Sequence, residues 1–390
     1  MTTSMAAKAR IARFLHRTMH SLGNELRQLH PWGPRAPLCA ITVGSVVLAV
    51  LLADAFDLNN RWWVAISAYT VARGSLKVSL GRSLDRIAGT ILGAALGVLV
   101  LRVLPHSQWL FALALASVTG LGLYNAIGSA RSYAWILGTV TALLVISEAH
   151  ALTGLSAFDI ATRRASDVLV GITASMIVVA AAHLIRAAVR RLWPLTRAAQ
   201  APAAEPSPLD RNNPTMRTLR AMQAAQGAIT VGLLGLFAYH RQLPAFPQTL
   251  ISVAVVLLVP LPALLRNKGE DDLVNLRMVN RALGCMMAAL FAVATLPVIG
   301  NTPWLCLVTL AMGVWLSAHI QAGSSATSYL GTQFGVGFIM TFVQDQRWST
   351  DASAPAMRLL GILIGLALLA AVIFVTTRIR LLVISVSVTG

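Results

Sequence analysis

The sequence predicts an all-α membrane protein of about twelve spanning helices, arranged as two parallel six-helix repeats behind an N-terminal amphipathic helix. Three observations carry this. The 390 residues are 56% hydrophobic and 12% charged, about half the charged share of an average soluble domain. Apolar runs near the ~20 residues needed to cross a bilayer recur along the chain. One segment also occurs twice. Arg82-Ser83-Leu84-Asp85-Arg86-Ile87-Ala88-Gly89-Thr90 returns as Arg277-Met278-Val279-Asn280-Arg281-Ala282-Leu283-Gly284-Cys285. Gly93 and Gly97 are answered by Ala288 and Ala292, and Arg73-Gly74 by Lys268-Gly269, without a gap. A duplication inside a membrane chain points to two similar halves.

The elements follow in order. Residues 1–37 form a basic leader in which Ile11, Phe14, Leu15, Met19, Leu22, Leu26 and Leu29 recur at three- and four-residue steps. Arg10, Arg13, Arg17 and Arg27 fall largely between them, the pattern of an amphipathic helix on a membrane surface. So long a basic stretch before the first apolar run argues against a cleaved signal peptide. The first repeat, 38–190, holds apolar runs at 38–56, 61–78, 84–104, 108–126, 132–149 and 165–185. Residues 191–217 read as a linker, rich in alanine and carrying Pro202, Pro206, Pro208 and Pro214. The second repeat, 218–380, holds runs at 219–239, 246–265, 281–299, 303–320, 326–344 and 357–377, and 381–390 is a tail. With six spans on each side of the linker, both halves start on the same face, so the repeats are parallel.

A net charge of +17 suggests a nucleic-acid partner until its placement is considered. With both termini cytoplasmic, most of the 31 lysines and arginines fall in the leader, the linker and the loops of one side. That is the positive-inside bias, so the charge reads as topology and no nucleic acid is expected. Cys39, Cys285 and Cys306 lie in apolar runs and read as buried thiols. Trp62, Trp63, Trp109 and Trp304 sit near span ends, where interfacial tryptophans gather.

The repeated segment has a physical logic. Arg82 and Arg86 are one helical turn apart, as are Arg277 and Arg281. Gly89, Gly93 and Gly97 make a small-residue stripe that lets another helix approach closely, and Gly284 keeps part of it in the second half. Arg73-Gly74-Ser75 and Arg266-Asn267-Lys268-Gly269 interrupt the apolar pattern, as cytoplasmic turns or as unwound pieces reaching into the membrane. In the second case, basic side chains beside a helix N-terminus make an anion site. Arg73, Arg86, Lys268 and Arg281 are therefore candidates for a vestibule that gathers a carboxylate. Tyr133, Trp135, Tyr329 and Phe334 are candidates to stack on an aromatic ring, or simply to fill the core.

These residues resemble a known family. Trp62-Trp63-Val64-Ala65, Arg73-Gly74-Ser75, then Arg82 and Arg86 with Gly89-Thr90 and Gly93 are similar to the signature of the fusaric acid resistance and aromatic acid exporter family. The resemblance is strongest over 36–190 and fainter over 217–380, where Arg281-Ala282-Leu283-Gly284 carries it. Tyr133-Ala134-Trp135 resembles the start of the family's fifth span, with Ser328-Tyr329-Leu330 as its counterpart. The resemblance implies a bacterial inner-membrane protein that exports aromatic carboxylic acids, giving resistance to them, and that works with a periplasmic adaptor protein. It also implies a distant likeness to plant malate channels, which are dimers of one six-span unit, so self-assembly is a further expectation. Larger members carry a substantial cytoplasmic domain, where this chain shows a short linker, so it reads as a short form.

Energy coupling and the rival functions follow from what the chain holds. No phosphate-loop motif occurs, so direct ATP hydrolysis is not expected. Proton coupling needs a titratable group in the membrane, and Asp167 is the first candidate, beside Arg164, with Glu148 near a span end. Asp167 and Arg164 form either a structural ion pair or a proton relay. No zinc-protease motif, paired Cys-x-x-Cys, nucleophile elbow or complete dinucleotide fingerprint is present, so neither an enzyme nor a metal or other cofactor is expected. A proton-driven exporter of organic anions is the leading reading. The alternatives are a passive anion channel and a membrane assembly module for a periplasmic adaptor.

Overall fold

The computed structural model describes all residues except 1, 104–106, 152–154, 193–213, 242, 244, 259–269, 301, 344–352 and 390. For 2–13, 151, 190, 192, 215, 270–272, 354–355 and 380–389 only the helical backbone is described. Among the described residues there are thirteen α-helices and no strand. They are α1 (Thr2–Arg27), α2 (Ala36–Ala55), α3 (Arg61–Val71), α4 (Leu76–Val103), α5 (Gln108–Ala126), α6 (Ser132–Ala151) and α7 (Ala157–Leu192). After the linker come α8 (Pro214–His240), α9 (Phe246–Leu257), α10 (Glu270–Ile299), α11 (Pro303–Gln321), α12 (Ser328–Phe342) and α13 (Ser353–Thr389).

Nine of these helices are long and apolar enough to cross a membrane, against the roughly twelve expected. The shortfall falls on α3, α9 and α12. Their 11, 12 and 15 residues rise about 16, 18 and 22 Å, well short of a hydrocarbon core of ~30 Å. The apolar run at 61–78 is therefore helical only to Val71, after which Arg73-Gly74-Ser75 make a turn. The run at 246–265 is helical to Leu257, shortly before Pro260 and Pro262 in the sequence. Conversely, α4 starts at Leu76, so Arg82 and Arg86 stand inside a helix, and α7 extends well beyond 165–185 at both ends.

The packing follows small residues. Gly89, Gly93 and Gly97 face α6, where a Cβ on Gly93 would collide with the Gly138 carbonyl and one on Gly97 would come 2.9 Å from Val145. Gly284 faces α12 in the same way, where a Cβ would come 2.8 Å from the Leu330 carbonyl oxygen. Within the first half α4 packs on α6 and α7, and α7 on α2 and α3; within the second α10 packs on α12 and α13, and α13 on α8 and α9. Between the halves the partners exchange, with α5 on α8 and α2 on α11, α6 on α9 and α3 on α12. The short helix α3 is enclosed by these contacts. Trp62 and Trp63 are accordingly buried in the core instead of lying in an interfacial belt.

The leader helix α1 docks on the second half. Leu22 packs with Ile320 and Leu330, and Thr18 Oγ1 donates to Asn280 Oδ1 at 3.2 Å. The Glu25 carboxylate pairs with Arg35 and accepts the Ser324 N–H at 2.8 Å, while its carbonyl meets His319 Nε2 at 3.1 Å. Leu15, Met19 and Leu26, flanking this docked face, stay exposed. The three cysteines are buried and free.

Candidate functional site

The two short helices end inside the bundle, and a helix end leaves carbonyls without intrahelical partners. In a membrane interior such groups must be satisfied by the protein. The repeated arginines do this. Arg82 lies over the Tyr133 ring at 5.0 Å with Nη1 at 3.5 Å from the Thr70 carbonyl near the end of α3. Arg277 lies over the Tyr329 ring at 3.9 Å, and its Nε and Nη2 donate to the Val256 and Val255 carbonyls near the end of α9, at 3.1 and 3.0 Å. One turn deeper, Arg86 Nη2 donates to Ser67 Oγ at 2.8 Å and Nη1 to Thr70 Oγ1 at 2.9 Å and Tyr133 OH at 3.3 Å. Arg281 Nη2 donates to Ser252 Oγ at 2.9 Å and Nη1 to Gln333 Oε1. Cations near helix C-termini are also favoured by the dipole. In both halves, then, the arginines reach back to the preceding short helix, and Arg86 is among the largest fully buried side chains of the protein.

The sequence-predicted vestibule residues thus separate. Arg86 and Tyr133 meet, and half-buried Arg73 donates to the Ala72 carbonyl at the turn after α3. Arg281 and Tyr329 belong to the corresponding arrangement in the second half. Trp135 faces away from both, 46% exposed on the outer side of α6. Phe334 is buried among phenylalanines. Lys268 lies outside the described residues.

A different set gathers at the opposite end of α3. Arg164 of α7 is 3% exposed and pairs through Nη2 with Glu148 of α6. Its guanidinium lies over the rings of Trp62 and Trp63 at 5.3 and 5.2 Å, a cation–π geometry. Its Nε and Nη1 are buried without a hydrogen-bond partner. Buried Asp167 follows one turn later on the same helix. From the other half, Arg358 near the start of α13 also lies over the Trp62 ring, at 5.7 Å, and donates to the Met340 carbonyl. Gly171 of α7 is seated on α3 at Val64 and Ser67, and Gly365 of α13 on α9 at Thr249, so Arg164 and Arg358 each stand seven residues before corresponding glycines. Arg164 thus pairs with Glu148, and Asp167 has an interaction partner as well. The convergence of Arg164 with Arg358 was not read from the sequence, although their like placement in the two halves was an available signal.

A helical bundle with nine apolar helices of spanning length among the described residues defines a multi-pass membrane protein. Comparison gives the particular likeness: the model of the fusaric acid resistance protein family matches residues 40–231 of the chain. Among curated proteins, the "Uncharacterized transporter YdhK" of Escherichia coli strain K12 is 25% identical over 131 residues, 33% of this chain and 20% of the relative. The protein of the same name from Salmonella typhimurium strain LT2 is also 25% identical over 131 residues, 19% of its length. The match therefore spans about a fifth of the length of these relatives. No solved structure matches the chain.

Proposed function

We propose that the chain is an inner-membrane transporter that moves organic anions, aromatic carboxylates first among them, out of the cell, with both termini cytoplasmic. The family match and the transporter-named relatives support the class. The exchange of partners between the halves supports two parallel six-helix repeats with a pathway at their junction. The observation that carries the substrate reading is Arg164: a guanidinium 3% exposed, over two tryptophan rings, with two nitrogens unused. A buried donor without a partner is destabilising. A substrate carboxylate can accept a charged hydrogen bond from one of these free nitrogens, on an edge of the guanidinium that it shares with the Glu148-bound Nη2. Trp62 and Trp63 offer ring faces for an aromatic body, and Arg358 adds charge from the other half.

Glu148 competes with that carboxylate for the same guanidinium, so an arriving anion must share Arg164 with it or displace it. The electrical part of the proton gradient drives such a substrate outward, because the negative cell interior contributes about 2.3 kcal/mol per elementary charge per 100 mV. The test is uptake of a radiolabelled aromatic carboxylate into everted vesicles. We expect saturable uptake that a protonophore abolishes and that Arg164→Gln lowers at least about tenfold, the worth of one lost charged hydrogen bond. Uptake unchanged by Arg164→Gln would refute the site. Single-channel currents in planar bilayers, in place of saturable flux, would assign the chain to the anion channels.

A further inference from the structure

We infer that the lipid-facing groove between α4 and α5 is a binding site for an anionic phospholipid, with the acyl chain in the groove and the phosphate at Arg131. The two helices each pack on α6 but hardly on one another, leaving a cavity of about 870 Å³ with α6 as its floor. Leu92 and Leu96 of α4 and Leu113 and Leu121 of α5 form the walls. The α4 stretch lining it, from Ala88 to Val103, rises about 22 Å, enough to follow an extended chain through much of a ~30 Å core.

The arrangement of helices does not require this opening. The Cβ positions of Gly89 and Gly284 meet Ala134/Gly138 and Leu330/Phe334 respectively, which sets Phe334 in the place of Gly138 and Leu330 in that of Ala134. There Phe291, Phe334, Phe338 and Phe342 form a continuous stack, with ring centroids 5.2 to 6.3 Å apart. One half fills the space with its own side chains and the other leaves it for a ligand.

The chemistry of the lining selects the occupant. The groove is apolar along its length and carries charge only at one end, where Arg131, just before α6, stands with Trp135 and Asn125. Arg131 is exposed, and among the described residues its guanidinium has no hydrogen-bond or ion-pair partner. A long apolar slot with one cation and a tryptophan at its mouth complements a molecule with a long apolar body and one anionic head. Basic sites beside membrane helices bind anionic headgroups in this way.

The full chain is reconstituted in phosphatidylcholine vesicles doped with chain-brominated phosphatidylglycerol or chain-brominated phosphatidylcholine. The Trp135 signal is isolated as the difference from Trp135→Phe. We expect half-quenching at an about fivefold lower fraction of the anionic lipid, as one arginine contributes about 1 kcal/mol near a membrane surface. Arg131→Gln should erase the preference while keeping quenching by the zwitterionic lipid, and Ser117→Phe, on the groove wall, should weaken quenching by both. Equal quenching by the two headgroups overturns the assignment, as does a preference that survives Arg131→Gln. A Trp135 signal that brominated lipid cannot reach, and that appears only on dilution of the protein, overturns it in favour of a second copy of the chain.

Discussion

In the first half, Gly93 lies against Gly138, and the face above them is open to lipid. In the second half, Ala288 and Phe334 stand at those places, a phenylalanine stack fills the space, and α1 adds Leu22 beside it. Yet both halves hold the same arginine scheme, with one guanidinium on the carbonyls of a short helix and a second, one turn deeper, on its serine. The two halves thus agree in one feature and part in the other. Space beside α4 and α10 is filled in one copy and open in the other, but the ends of α3 and α9 are served by arginine in both. An apolar gap in a membrane costs little because lipid fills it, whereas an unsatisfied carbonyl there costs several kcal/mol.

This comparison breaks most readily at the stacked side. Phe338→Ala empties a fully buried site between Phe334 and Phe342 and should destabilise the protein by about 3–5 kcal/mol. Leu92→Ala, on the open groove, should change stability by less than about 0.5 kcal/mol, as exposed positions do. Thermal unfolding in detergent compares the two, and equal losses would deny the distinction. Next, Gly93→Val forces α4 from α6 and should cost about 3 kcal/mol, with membrane abundance as the readout. Arg86→Gln and Arg281→Gln should each cost about 2–3 kcal/mol, since each removes charged hydrogen bonds from buried hydroxyls. If either is neutral, the arginines do not hold the short helices.

The smallest effect concerns the leader. Burial acts to raise the Glu25 carboxyl, but the Arg35 hydrogen bond, the Ser324 N–H and the charges of Arg35 and His319 together hold it below its ordinary value of 4.5. A depressed carboxyl stabilises the docked state above pH about 4.5, and that contribution disappears as pH falls through the lower, docked value. Protease sensitivity of residues 14–27 should therefore rise in acid. Glu25→Gln should give the same sensitivity at pH 7, at a cost of about 2 kcal/mol.

Much of this was legible in the sequence. Hydropathy located nearly every helix, and the repeated Arg-x-x-x-Arg before glycine marked the equivalent positions in both halves. The short helices were not legible, because an apolar run reports burial and not where helical hydrogen bonding stops. Trp62 and Trp63 looked interfacial because a residue near a span end usually is, but α3 is enclosed by its neighbours. Arg82 and Arg277 turned out to face backward along the chain, a direction that residue spacing does not encode. The meeting of Arg164 and Arg358 at one tryptophan depends on contacts between the halves, beyond the reach of local pattern.

The exchange of partners between the halves has a consequence for biogenesis. The face of α2 that lies on α11 leaves the ribosome well before its cover, which is made more than 240 residues later. At ~5–20 residues per second that leaves an interval of roughly 10–50 s. During it α2 waits in the membrane beside lipid or the insertion machinery. Assembly therefore closes only once the late helices arrive, so a stalled or shortened chain carries an unfinished surface that quality-control proteases can recognise.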